Sequence, residues 1–235
     1  MITLRASSAR GFCNQGWIQS RYVFSFHTFI DPFYMGYRNL RALNEHFLLP
    51  GKGSALHPHR HVEILTLVLH GELLLVPMTG QPTTLRPGQL HLLNSASGIL
   101  HKELNPDVTK PPAHYLEIWL GTTPSSDAPS EALLDLHARA AEHEGDFVLA
   151  ASPDGKDGSL KLHQKSFVWY ASVPSGRTVH YKLEADRYGW IHMISGALRL
   201  SEYLLEAGDG GAITAQDDIA LTAEQNSTFF LFDLS

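Results

Sequence analysis

The sequence is almost without cysteine: Cys13 is the single thiol in 235 residues. One thiol excludes a disulfide framework within the chain and leads to the expectation of a reducing compartment. Charge is also sparse, with 18% Asp, Glu, Lys and Arg and a formal net charge of -6. No basic patch stands out, so direct contact with nucleic acid is not expected. No stretch approaches the ~20 consecutive apolar residues that a membrane-spanning helix needs. The N-terminal MITLRASSARGFCNQGW lacks the continuous apolar core of a signal peptide. The expected setting is therefore the cytoplasm, without a membrane partner. Familiar catalytic loops are missing too. "GKGS" at 51–54 does not have phosphate-loop spacing, and no serine lies in a Gly-x-Ser-x-Gly elbow. Cys13 has His27 nearby in sequence, but nothing orients the two as a pair.

Hydrophobic residues make up 43% of the chain, enough for a folded core in one large domain or two small ones. Most of that apolar content comes in short β-rich runs. "VEILTLVLHGELLLVPM" has Gly71 where a turn is wanted, "LRPGQLHLLN" places Pro87-Gly88 before another strand, and "HYLEIWLG" follows. One segment reads differently. In "PSEALLDLHARAAEHEG", Leu133, Leu134, Leu136 and Ala140 fall near helical spacing, Ser130 suits an N-cap and Gly145 a stop. The expectation is a linking helix over 129–145, between an N-terminal barrel (1–128) and a C-terminal barrel (146–235). The two halves share punctuation. Aligning "ILTLVLHGEL" with "WIHMISGAL" sets Gly71 on Gly196, and "LRPGQL" then lies near "LEAGDG", with Gly88 on Gly208. The recurrence points to duplicated β-barrels.

Histidine is abundant, with 14 residues, and "GKGSALHPHRHVEIL" concentrates it. Residues two apart on a strand share a face, which pairs His57 with His59. Further on, "SGILHKELN" pairs His101 with Glu103. Two adjacent antiparallel strands can aim all four side chains into one barrel. Three neutral imidazoles and a carboxylate suit Fe(II), Mn(II), Co(II), Ni(II) or Zn(II) rather than Ca(II) or Mg(II). Four protein ligands leave open positions for chemistry if the ion is five- or six-coordinate. Glu63 and His61, which shares the ligands' strand parity, are further candidates in the same stretch. The aromatic N-terminal residues Trp17, Phe24, Phe26, Phe29 and Phe33 read as packing against the barrel.

The spacing Gly51, His57-x-His59, Glu63 resembles the first cupin motif, and Gly98, His101, Asn105 resembles the second. Seven residues separate Glu63 from Gly71, one more than the usual cupin six, and Ala96 stands where cupins often carry proline. A narrower resemblance runs from end to end, to the pirin family. It is carried by Gly16-Trp17, "FSF" at 24–26, "DPFYMGYRNLRALNE" at 31–45, "HPH" at 57–59 and "VEI" at 62–64. It continues through "SGILHKELNP" at 97–106, "EIWL" at 117–120, "SPDGKDGSLKLHQ" at 152–164 and "FLFDL" at 230–234.

The resemblance implies an all-β bicupin: two double-stranded β-helix (jelly-roll) barrels in tandem with a short linking helix. It implies one metal in the N-terminal barrel, held by His57, His59, His101 and Glu103, with Fe(II) the first expectation and Mn, Ni, Co or Zn as alternatives. Glu63 is not a ligand in that pattern. The implied activity is that of a quercetin 2,3-dioxygenase, opening a flavonol ring with O₂, with Glu103 also serving as catalytic proton acceptor. Some pirins act instead as metal-dependent redox sensors or co-regulators that bind a protein partner without turnover. The sequence departs from the family at His61 (usually Asp), Val62 (Met), Lys102 (Ser) and Glu117 (Gln). Glu117 adds a second carboxylate near the cavity, a candidate for altering substrate preference. In the second half, ungapped alignment sets Lys182 and Glu184 opposite His57 and His59, and Leu221 and Ala223 opposite His101 and Glu103. That set cannot hold a divalent ion, so the C-terminal barrel is expected to be structural.

Overall fold

A computed structural model describes all residues except 125, 144 and 215–217. The strands in chain order begin with β1 (Ile2–Arg5), β2 (Gly11–Asn14), β3 (Ile18–Tyr22), β4 (Leu40–Leu48), β5 (Lys52–Gly53) and β6 (His57–His59). They continue with β7 (Val62–His70), β8 (Leu73–Pro77), β9 (Thr83–Leu85), β10 (Gln89–Asn94), β11 (Ile99–Asn105), β12 (Ala113–Gly121) and β13 (Ser130–Asp135). A short helix, α1 (Leu136–Glu142), precedes β14 (Phe147–Ser152), β15 (Leu160–Lys161), β16 (Phe167–Val173), β17 (Thr178–Lys182) and β18 (Tyr188–Ser195). The last strands are β19 (Ala197–Leu200), β20 (Tyr203–Glu206), β21 (Gly210–Ile213), β22 (Asp218–Ala223) and β23 (Ser227–Leu234). The chain divides into two compact units, Gly11–Asp135 and Met1–Arg10 with Leu136–Ser235. The all-β expectation holds.

Each unit is built from a larger and a smaller sheet. In the first unit the larger runs β13-β10-β7-β12-β4-β3-β2, and the smaller runs β5-β11-β8-β9, with β6 also paired to β11. In the second the orders are β1-β21-β18-β23-β16-β14-β15 and β17-β22-β19-β20. The larger sheets follow the same order, with β7 answering to β18, β12 to β23, and edge strand β13 to β1, although β15 runs parallel to β14 where β2 runs antiparallel to β3. The hairpin glycines Gly71 and Gly196 both have left-handed backbone, φ 73° and 82°. That conformation suits glycine because it has no Cβ to clash.

Two expectations need correction. The segment 129–145 is not one helix, since Ser130–Asp135 is a strand fully paired with β10, from Asn94↔Ser130 to Gln89↔Asp135. Only Leu136–Glu142 is helical. The edge of a sheet offers a row of unpaired backbone groups, and satisfying them outweighs the modest helical preference of an Ala/Leu-rich segment. The first unit therefore ends at Asp135, not at 128. The N-terminal ten residues group with the C-terminal unit, where β1 pairs with β21.

The second correction concerns alignment. With Gly71 set on Gly196, Leu75 answers to Leu200. Leu75 faces Glu103, and Leu200 faces Leu221. His57 faces His101, and Tyr181 faces Ile219. The counterparts of the four expected ligands are thus Tyr181, Leu183, Ile219 and Leu221, rather than Lys182, Glu184, Leu221 and Ala223. All four belong to or pack on one apolar cluster. Tyr181, in the place of His57, donates its hydroxyl hydrogen to Asp233 at 2.6 Å and accepts from Trp169 Nε1 at 3.0 Å. The second barrel fills with side chains the place where the first gathers histidines.

Candidate metal centre

Strands β6 and β11 place the residues of interest. They pair antiparallel, with His57 opposite His101 and His59 opposite Ile99. Alternation along each strand then turns His57, His59, His101 and Glu103 to one face. The imidazole centroids form a near-equilateral triangle: 4.8 Å from His57 to His59, 4.8 Å from His57 to His101, and 4.7 Å from His59 to His101. One ring nitrogen from each lies within 4.8 Å of the others. Among the described residues, no other group of three or more His, Cys, Asp or Glu converges this way.

The surroundings prepare these nitrogens as ligands. His57 Nδ1 donates to the Ala55 carbonyl at 2.9 Å, which leaves the Nε2 lone pair available. The Nε2 atoms of His59 and His101 are buried without a hydrogen-bond partner among the described residues, a costly state for polar atoms unless something else binds them. Burial pushes the His59 imidazole down to about 4 and the His101 imidazole down to about 3. Both rings are therefore neutral, with a free lone pair, at neutral pH.

Glu103 stands beside the triangle rather than in it. Its Oε2 accepts the Tyr115 hydroxyl at 2.9 Å, while Oε1 is buried and has no partner among the described residues. Burial, with the neighbouring charge of Glu117, raises the Glu103 carboxyl to about 7. Two neutral, buried imidazoles with uncommitted Nε2 atoms, a third imidazole whose Nδ1 is committed to Ala55, and a carboxylate with one uncommitted oxygen fit a divalent first-row transition ion. His57, His59 and His101 would hold it, with Glu103 Oε1 as fourth ligand.

The other candidates fall elsewhere. His61 has left-handed backbone, φ 55°, which ends the β6 alternation, and it lies outside the histidine cluster. Glu63 is buried in β7 on the face of Leu65 and Leu67. Ile64 occupies the opposite face and joins the cluster against which Trp119 packs, and the Trp119 ring meets His59 edge-on at 5.0 Å. Glu117, by contrast, is on the inner face. Its Oε2 accepts from His46 Nε2 at 3.3 Å and Asn44 Nδ2 at 3.4 Å, and His46 Nδ1 lies 2.8 Å from Ser20 Oγ. Burial opposes the Glu117 charge, but the His46 bond and charge prevail and hold the carboxyl down to about 2.

Ser20, His46, Tyr115 and His91 escape a reading of the sequence. The signal that could have found them is the inner-face parity of β3, β4, β10 and β12, which becomes usable once strand pairing is known. A cavity of about 680 Å³ adjoins the centre, with Pro58, His59, Met78, Ile99, Leu100 and Glu131 in its wall.

Comparison with known proteins agrees with this layout. The family profile described as Pirin matches residues 3–120, and the one described as Quercetinase C-terminal cupin domain matches 149–234. The chain is 33% identical to the quercetin 2,3-dioxygenase of Escherichia coli K12 over 239 residues, covering 100% of this chain and 99% of the relative. It is 30% identical to the pirin-like protein YhaK of the same organism, with the same coverage. Among solved structures it resembles the bacterial pirin YhhW of E. coli in complex with nickel(II). That match has a TM-score of 0.93 and 31% identity, over 100% of this chain and 99% of that one.

Proposed function

Because this chain belongs to the pirin family and its two β-barrels are cupins, we propose that it is a metal-dependent dioxygenase of the quercetin 2,3-dioxygenase type. Its reaction is the oxygen-dependent ring opening of a flavonol at the centre formed by His57, His59, His101 and Glu103. The observation that carries the reading is the triangle of three imidazoles, two of them buried with Nε2 atoms that lack a partner among the described residues, beside a cavity. The relative named quercetin 2,3-dioxygenase and the nickel complex of the bacterial pirin support it. Fe(II) is the first ion to test; Mn(II), Ni(II), Co(II) and Zn(II) suit the same donors.

A bound ion supplies Lewis acidity toward the adjacent oxygens of a flavonol and, if redox-active, a path for electrons to O₂. The chain's own residues do the rest. His57, held through Nδ1 by Ala55, and the neutral His59 and His101 fix the position of the reacting group. Glu103 takes the proton of the substrate hydroxyl, because its carboxyl is balanced near neutrality and Tyr115 steadies its other oxygen. Val62, Ile64 and Leu93, with Ile99 and Trp119, form an apolar wall that keeps competing water out.

The test is oxygen uptake together with loss of flavonol absorbance on adding quercetin to protein reconstituted separately with each ion. A His57→Ala/His101→Ala double variant runs alongside. Turnover by the wild type and none by the variant is the expected result. Stoichiometric metal binding without turnover by any ion overturns the proposal and leaves the role of a metal-dependent, partner-binding sensor.

A further inference from the structure

The inner wall formed by β10 and β13 carries an imidazole that the centre does not use. His91 lies opposite Thr66 of β7 and Leu133 of β13. Alternation along β10 puts it on the face of Leu93, which packs with Ile64, Ile99 and Trp119. His91 is 2% exposed. Its Nε2 lies 3.1 Å from Glu131 Oε2, so Nε2 carries the hydrogen and the carboxylate accepts it. First among the causes, this same bond holds the Glu131 carboxyl below its ordinary range. Nδ1 is then left with a lone pair. It is buried, with no hydrogen-bond partner among the described residues. A buried acceptor in that state calls for a donor. Glu131, the partner of that ring, lines the cavity of about 680 Å³ together with His59, so a ligand there lies one side chain from His91, which is not itself in the wall.

We infer that His91 Nδ1 recognises a hydroxyl group of the ligand that enters this cavity, and that Glu131 is a positioning residue holding the imidazole in its accepting tautomer. The ligand class rests on the flavonol reading: a planar aromatic with one hydroxyl presented to the metal centre and another to β10. His91 is itself outside the metal cluster. A site with a buried acceptor discriminates against an analogue lacking the matching hydroxyl, because the acceptor is left unsatisfied.

The experiment uses zinc-loaded full-length protein, so that binding is read without redox turnover. Affinities for quercetin and for analogues each lacking one hydroxyl are measured by calorimetry with wild type, His91→Phe, Glu131→Leu and Glu131→Gln, after matching zinc content. One analogue should bind wild type roughly tenfold more weakly than quercetin. His91→Phe should lose a similar factor toward quercetin and show no further loss with that analogue. Glu131→Leu should behave like His91→Phe, and Glu131→Gln, which can still accept from Nε2, should restore most of the affinity. Equal hydroxyl dependence in wild type and His91→Phe overturns the inference. If His91→Phe does not fold, the crystal structure of the zinc protein with quercetin decides: a ligand oxygen at Nδ1 supports it, and an ordered water alone overturns it. Oxygen uptake by the iron-loaded wild type and variants separates the two claims. Turnover without His91 dependence contradicts only this inference, and His91-dependent binding without turnover contradicts only the dioxygenase reading.

Discussion

His59 and His101 are neutral because they are buried, and that has a consequence for stability. Their folded values, about 4 and about 3, lie below the 6.5 of a free imidazole. Between pH 4.5 and 6.5 the unfolded chain therefore binds between one and two more protons at these residues than the folded one, a contribution that rises with pH. Glu103 works in the opposite sense. Its folded value of about 7 lies above the 4.5 of a free carboxyl, so over the same interval its contribution falls as pH rises. Near pH 5 the two histidines outweigh the one carboxylate by about one proton, or roughly 1.4 kcal/mol per pH unit, and the excess shrinks toward pH 6.5. Denaturant unfolding of chelator-treated protein from pH 4.5 to 6.5 checks this. Relative to wild type, His59→Ala/His101→Ala should lose the rising component and leave the falling Glu103 component. Identical slopes would contradict the assignment. The four ligand candidates were legible in the sequence because each pair is two residues apart, the smallest spacing that shares a strand face. The residues that tune them were not. Tyr115 reaches Glu103 from another strand, and the His46–Glu117 and His91–Glu131 pairs join residues 71 and 40 positions apart.

At the scale of elements, glycine turns were the dependable guide and apolar spacing the unreliable one. Leu133, Leu134 and Leu136 satisfy a helical pattern, yet 130–135 is extended because β10 leaves an edge that this segment closes. Sequence spacing alone does not reveal which strand has an open edge. Gly71 was read as a turn and is one, at φ 73°, where an added Cβ would come within 2.7 Å of the Pro112 carbonyl oxygen. Gly71→Ala should therefore combine left-handed strain with a backbone clash and destabilise by about 2 kcal/mol. In a chain of this size, that lowers the melting midpoint by several degrees. A thermal scan in which Gly71→Ala melts with the wild type would show that the hairpin relaxes freely.

For the whole molecule, the duplication predicted from Gly71/Gly196 and Gly88/Gly208 appears as two matching sheet orders. The same comparison shows that, among the described residues, the second barrel lacks the histidine cluster of the first. Register places Tyr181, Leu183, Ile219 and Leu221 where the first barrel has His57, His59, His101 and Glu103. Ungapped alignment missed those positions by one or two residues because the halves differ in loop length, which strand pairing corrects. The role of β1 was hidden for a similar reason: a strand near the N-terminus completes the sheet of the C-terminal unit. Among the described residues, no helix is long and apolar enough to cross a membrane. The central claim, one metal in one barrel, is tested most directly by titrating chelator-treated protein with Ni(II) and recording X-ray absorption of the loaded form. One ion per chain is expected, coordinated by three imidazole nitrogens and a carboxylate oxygen, with binding abolished in His57→Ala/His101→Ala. Two ions per chain, or one that survives that double substitution, would contradict it.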